Sequence, residues 1–241
     1  MGFQKISMQC IILAGGKGTR LSEYTKIIPK PMVKIGKLPI LVHIINYFIK
    51  HDIKKFIIAS GHKQEVIKKY FKNFKRKNCT IKVVFTGKNT LTGGRLLKLK
   101  KYLIKEKNFI LTYGDGLSDQ NLKKLIRFHK RHKKIATLTA VRPPVRFGEL
   151  TLKKNFVYDF KEKPQIKHSW INGGFFVFKP EIFKYLKNYN EMLEREPMEK
   201  LSRKKQLMAF KHKGFWQCMD TARERSYLKK LIRNKKAPWL K

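Results

Sequence analysis

Four places along the chain combine residue types suited to phosphate chemistry. The first is Gly15-Gly16-Lys17-Gly18-Thr19-Arg20, directly after the apolar run that starts at Met8 and ends at Leu13-Ala14. Glycines there permit positive φ and remove side-chain bulk, so backbone amides can approach a phosphate closely. Lys17 and Arg20 add positive charge. The spacing is not that of a Walker loop, and Leu21 stands where a dinucleotide fingerprint needs its third glycine. The second is Lys30, held between Pro29 and Pro31. Proline fixes its own φ and biases the residue before it toward extended backbone, so the ammonium is rigidly aimed. The third and fourth are Asp115, between Gly114 and Gly116, and Asp220, after Trp216-Gln217-Cys218-Met219. Carboxylates are scarce, 16 Asp+Glu against 57 Lys+Arg. Two of them at element ends suit Mg²⁺, which takes one or two carboxylates plus substrate phosphates. Singly, each feature also has an ordinary reading: a tight strand–helix turn, a surface turn at Lys30, a turn residue at Asp115, a helix cap near Thr221.

The surrounding pattern says what must position these groups. Short apolar runs alternate with amphipathic segments through the first half. Strands are expected at Met8 to Leu13, Lys55 to Ala59, Ile81 to Phe85, Phe109 to Thr112 and Ile135 to Val141. Helical spacing covers Leu38 to Lys50, Lys63 to Lys72, Gly94 to Lys105, and a segment from Ser118, read as its N-cap, to about Lys133. Such alternation predicts an α/β fold with a mostly parallel central sheet flanked by helices. Ligands then bind beyond the carboxyl ends of the strands, where the glycine loop and Gly114-Asp115-Gly116 fall. The second half is richer in short strands: Glu149 to Leu152 paired with Phe156 to Phe160, then Phe175 to Phe178. Leu207 to Phe210 and Phe215 to Cys218 read as a hairpin. Helices are expected at Glu181 to Lys187, Met198 to Lys205 and Thr221 to Asn234. The chain reads as one domain over 1–241, with an alternating strand–helix half at 8–148 and a small β-rich C-terminal part at 149–241.

The 241 residues are 42% hydrophobic, enough for a sizeable core, and carry a net charge of +41. The lysines lie along the whole chain and share helices with apolar residues, as Lys123, Lys124 and Lys130 do with Leu122, Leu125, Ile126 and His129. That distribution reads as a lysine-rich surface more than as a nucleic-acid interface. Cys10, Cys79 and Cys218 stand alone, with no zinc spacing, and suggest a reducing compartment. Neither a signal-peptide core nor a membrane span is present, and Ile6 breaks the myristoylation pattern. A cytoplasmic protein is expected, with no specific nucleic-acid or membrane partner.

In order along the chain, G-G-x-G-T-R-L, P-K-P-M, a strand-end G-D-G, E-K-P and N-G-G-F make a pattern that resembles the sugar-phosphate nucleotidyltransferases. The likeness runs from about Met8 to Leu240. Leu91-Thr92-Gly93-Gly94-Arg95 and Phe215-Trp216-Gln217-Cys218-Met219-Asp220 point to the cytidylyl branch of that family. The resemblance implies a Rossmann-like nucleotidyltransferase fold, CTP and a hexose 1-phosphate as substrates, and Mg²⁺ as cofactor. It implies that Leu13, Ala14, Gly15, Gly16, Lys17, Gly18, Thr19 and Arg20 bind the nucleotide, together with Lys30, Thr90, Arg95 and Gly114. Arg20 and Lys30 would be catalytic, and Asp115 and Asp220 would hold the metal. Glu162, Lys163, Asn172 and Gly173 would face the sugar phosphate. A homo-oligomer with a role in polysaccharide biosynthesis is also implied. Between Phe71 and Ile81 the chain is shorter than the cytidylyltransferases, in a region near that family's subunit contacts.

The implied reaction is in-line attack by the ionised phosphate of an α-D-glucose 1-phosphate-like substrate on the α-phosphorus of CTP, releasing pyrophosphate. No general base is needed, so catalysis reduces to positioning and charge stabilisation. A uridylyl- or thymidylyltransferase, or an enzyme for another hexose phosphate, is the same-class alternative. A basic nucleic-acid-binding protein explains the charge but not the ordered motifs, and an inactive homologue would have to have lost a residue of the site.

Overall fold

The computed structural model describes residues 8–74, 76, 78–143, 149–161 and 169–241. Strand β1 (Gln9–Ala14) feeds the glycine loop, a 3-10 turn at Thr19–Leu21 and a short helix α1 (Ser22–Thr25). A second 3-10 turn at Lys30–Met32 and a small ribbon, β2 (Lys34–Ile35) with β3 (Leu38–Pro39), lead into α2 (Ile40–Lys50). Then follow β4 (Lys55–Ser60), α3 (Gln64–Lys72), β5 (Thr80–Phe85), and the helices α4 (Thr92–Lys98) and α5 (Lys100–Leu103). Strands β6 (Phe109–Tyr113) and β7 (Gly116–Ser118), helix α6 (Leu122–His132) and β8 (Ala136–Val141) complete the first half.

The second half opens with an antiparallel ribbon, β9 (Glu149–Lys153) and β10 (Phe156–Lys161), and continues through β11 (Ile171–Phe178). A 3-10 turn at Pro180–Tyr185 precedes α7 (Glu196–Arg203), β12 (Leu207–His212) and β13 (Trp216–Cys218). Helix α8 (Ala222–Arg233) and a last 3-10 turn at Pro238–Leu240 end the chain.

Seven strands form the central sheet in the order β12-β8-β11-β6-β1-β4-β5. β1 lies parallel to β4 and β6, β4 to β5, and β12 to β8, while β11 runs antiparallel to both its neighbours. The sheet is therefore mostly parallel, as the alternation predicts. Its inner strands are covered on both faces, which is why they read as continuous apolar runs. Along β1, Cys10, Ile12 and Ala14 join a core that includes α2, α6 and Trp239. Ile11 and Leu13 point the other way, into a core with α4, α5 and Leu201 of α7. No helix among the described residues is long and apolar enough to cross a membrane.

Several local expectations change. Ser118 ends strand β7 instead of capping a helix, because Gly116 to Ser118 pair with Cys218 to Trp216 and stay extended. Asn121 caps α6, its Oδ1 accepting from Lys124 N at 3.0 Å. Leu207 to Phe210 and Phe215 to Cys218 do not form a hairpin. β12 finds a six-residue parallel register along β8, and β13 crosses to β7. The helix expected from Gly94 to Lys105 starts at Thr92 and breaks at Leu99. Asn172-Gly173-Gly174 lies inside β11, where the register with β8 shifts between Asn172 and Phe176. β11 and β12 thus carry the second half into the main sheet, and the ribbon β9–β10 and β13 stay outside it.

Candidate active site

The carboxyl ends of the parallel strands β1 and β6 open into a cleft of about 530 Å³. Leu13, Ala14, Gly15, Gly16, Gly18, Thr19 and Arg20 all line it, whereas Lys17 is exposed and stands outside the lining. Gly18 sits at φ +65°, and a Cβ there would meet the Cβ of Lys30 at 2.8 Å. Only glycine lets the loop fold back over the lysine in that conformation. Gly15 is needed for a different reason, since a Cβ on it would overlap the Arg95 guanidinium. Gly114 N donates to Leu13 O at 3.0 Å and ties the end of β6 to the end of β1.

Three elements far apart in sequence then converge on one cation. Lys30 is buried, and its Nζ donates to Asp115 Oδ2 at 2.5 Å and to Asp220 Oδ1. Arg20 Nη1 reaches the other Asp220 oxygen at 3.1 Å from a side chain that is mostly exposed. Asp115 and Asp220 are brought together by the backbone itself, through Met219 N donating to Asp115 O at 2.9 Å. Thr221 caps α8 in a capping box with Glu224, and Asp220 N donates to Glu224 Oε2 at 2.6 Å. The cap fixes the backbone of Asp220 and leaves its carboxylate free to face Lys30. Burial works against the charge on Lys30, but the Asp115 and Asp220 carboxylates outweigh it and hold its pKa above the ordinary value. Burial also pushes Asp220 up, and Lys30 and Arg20 overcome this, so the carboxyl sits below its ordinary value of 3.8.

Arg95 is buried beside the loop and lines the cleft. Its Nη1 donates to Ser60 O at 3.1 Å, Thr86 Oγ1 at 2.7 Å and Gly87 O at 2.8 Å, and its Nη2 to Gly15 O at 2.8 Å. The guanidinium thus pins the glycine loop to the ends of β4 and β5. Thr90 also lines the cleft, and its hydroxyl accepts from Lys98 Nζ at 3.3 Å.

Asn172 and Gly173 line the cleft as well, together with Tyr113 and Trp216. Trp216 Nε1 donates to Gly173 O at 2.7 Å. Glu162 and Lys163, with Pro164, lie outside the described residues. Thr92 and Trp216 stood inside recognised motifs with no role attached, and Tyr113 directly precedes the Gly114-Asp115-Gly116 run. Nothing in the sequence singled out Glu194, whose carboxylate accepts from Tyr113 and Thr92. Cys218 lines the cleft too, but burial first, and then Asp220, Glu224 and Asp115, push its thiol up to about 12. It stays protonated at neutral pH and is no nucleophile.

A mostly parallel α/β sheet with a glycine loop, cations and paired carboxylates at its strand ends defines a phosphate-handling nucleotide site. Residues 9–231 match the nucleotidyl transferase family, and the chain belongs to it. The glucose-1-phosphate cytidylyltransferase of Salmonella typhimurium is 45% identical, over 96% of this chain and 98% of its own length. Among solved structures, HddC from Yersinia pseudotuberculosis, complexed with GMP-PN, superposes with a TM-score of 0.74 at 23% identity, covering 93% of this chain and 99% of its own. A UDP-glucose pyrophosphorylase complexed with UDP-glucose gives a TM-score of 0.73 at 18% identity, covering 95% and 100% of the two chains. These two likenesses speak to the fold.

Proposed function

We propose that this protein transfers the cytidylyl group of CTP to α-D-glucose 1-phosphate, giving CDP-glucose and pyrophosphate. The observation that carries the chemistry is the meeting of Asp115, Asp220, Lys30 and Arg20 at the mouth of the glycine loop. Choice of base and sugar follows the near full-length likeness to the Salmonella enzyme.

In this reading the Leu13 to Arg20 loop, Thr90, Arg95 and Gly114 surround the nucleotide. Asn172 and Gly173 face the sugar phosphate, with Glu162 and Lys163. One phosphate oxygen of the sugar phosphate forms a bond to the α-phosphorus while the bond to pyrophosphate breaks. The nucleophile is already ionised, and Lys30 and Arg20 offset the repulsion between two approaching anions. Arg95 acts at one remove by holding Gly15.

The donor set also fits a divalent cation. Asp115 and Asp220 offer hard oxygens around a single point where the Lys30 ammonium now stands in for positive charge. Asp115 and Asp220 would hold Mg²⁺, which supplies Lewis-acid stabilisation of phosphoryl charge when bound. Homo-oligomeric assembly and a cytoplasmic setting belong to the same reading. Phe156, Val157 and Tyr158 stand exposed on β10, at 78%, 54% and 77%, and support assembly; sedimentation velocity tests it.

The deciding experiment is a matrix of nucleoside triphosphates against hexose 1-phosphates, with and without Mg²⁺, read by pyrophosphate release. CTP with glucose 1-phosphate is expected to give the highest kcat/KM. A clear preference for UTP or dTTP, or for another sugar, would replace the substrate assignment. Asp115→Ala and Asp220→Ala should each lower turnover by about 10²–10³-fold with the fold intact. Near-normal activity in both would remove the paired-carboxylate site.

A further inference from the structure

Behind the sugar-facing wall runs a chain of hydrogen bonds with a single polarity. Gly174 N donates to Asn172 Oδ1 at 2.9 Å, which turns the amide nitrogen of Asn172 away from it. The Asn172 side chain favours the ionised form of the Tyr113 phenol, as a donor beside the oxygen does. Tyr113 in turn donates to Glu194 Oε1, and Thr92 donates to Glu194 Oε2 at 2.5 Å. The Thr92 oxygen is held by Leu193 N at 2.9 Å. Gly93 N and Gly94 N both donate to Glu191 O, at 3.0 and 3.2 Å, so the segment bearing Glu194 is clamped on the first turn of α4.

An ionised carboxylate only accepts hydrogen bonds. Glu194 therefore obliges both hydroxyls to donate toward it. Burial, then the Glu194 charge, hold the Tyr113 pKa above its ordinary value, so the phenol keeps its proton. Its oxygen is left to accept, and the Asn172 amide is the donor-bearing group of the cleft that acts on it. Asn172, Tyr113 and Thr92 line the cleft, whereas Glu194 stands behind them. A sugar hydroxyl can donate or accept, so a wall with fixed donor direction separates hexoses that differ in one hydroxyl.

We infer that Glu194 is a positioning residue that sets the hydrogen-bond direction of Tyr113 and Asn172, and through them selects among hexose 1-phosphates. The inference rests on the proposed function for the identity of the substrates. Gln at 194 keeps the size but offers one acceptor and one donor, so one hydroxyl must reverse. Tyr113→Phe removes the relay without a change of fold.

The test is steady-state kinetics of wild type, Glu194→Gln, Tyr113→Phe and the double variant, with glucose 1-phosphate and galactose 1-phosphate. Each single variant is expected to raise KM for glucose 1-phosphate about tenfold and to narrow the glucose-to-galactose ratio in kcat/KM. KM for the nucleotide should stay within about twofold. The double variant should be no worse than the poorer single one, since both break the same relay. Additive losses, an unchanged sugar KM, or equal rises in both KM values would overturn the assignment. Should Glu194→Gln melt below the assay temperature, Tyr113→Phe alone decides on the sugar KM and the epimer ratio. The wild-type matrix tests the substrate assignment separately. If another pair of substrates is preferred, the variants are compared on that pair.

Discussion

Lys30 occupies an unusual position for a lysine, buried between two carboxylates at the bottom of a phosphate cleft. Its ammonium offsets half the charge of Asp115 and Asp220 and stands where a divalent ion would compete for the same oxygens. Lys30→Met should lower turnover by about 10²–10³-fold. It should also leave two carboxylates facing each other, so Mg²⁺ without nucleotide is expected to raise the melting temperature of the variant more than that of wild type. Equal shifts in a MgCl₂ titration would show that ammonium and metal do not share the site. Asp115 and Asp220 were legible because carboxylates are rare in this chain and both fall where strands end. The role of Arg95 was not, because Ser60 and Gly87 come beside it only when β4 and β5 lie side by side. Glu194 was invisible for the same reason: Tyr113 and Thr92 are more than 80 residues away in sequence.

Among the elements, α6 carries a titration that the site does not use. His129 is fully buried, bonding Thr137 Oγ1 at 2.8 Å on β8 and Asn108 Oδ1 at 2.9 Å. Burial, then His132 and Lys179, lower its pKa to about 4. In the unfolded chain the ring takes up a proton near pH 6.5, so between there and pH 4 the unfolded state binds more protons. Stability from this group is complete above pH 6.5 and falls as the solution is acidified, on the order of 3 kcal/mol by pH 4. Thermal melts should show that slope in wild type, and His129→Gln should flatten it. An unchanged slope would place the acid sensitivity elsewhere. Elements with strong periodicity or continuous apolar runs, such as α2, β1 and β4, were read nearly to the residue. The misread ones, Ser118, β12 and β13, depend on partners remote in sequence. A three-residue strand such as β13 has no pattern of its own until β7 lies beside it.

Taken whole, the molecule carries +41 charges on 241 residues. Self-repulsion at that density opposes compactness and is relieved by salt or by a polyanion. The melting temperature should therefore rise as NaCl goes from low to physiological concentration. DNA of any sequence should bind weakly at low salt and dissociate as salt rises, as a fluorescence anisotropy titration would read. Salt-resistant or sequence-selective binding would point to a built nucleic-acid surface instead. The charge also serves the cleft, since both proposed substrates are anions drawn toward a cationic surface.

The antiparallel strand β11, wedged between β6 and β8, constrains how this protein is made. When β8 leaves the ribosome, β6 and β8 each still present an unpaired strand edge, and the strand that fills the gap begins only at Ile171. Until it arrives, those edges are open to pairing with other nascent chains. Asp220 emerges later still, so the carboxylate pair cannot close around Lys30 until β13 has been made. A ribosome-stalled chain ending before Ile171 should accordingly be protease-sensitive and retained by chaperones, and one extended past α8 should not.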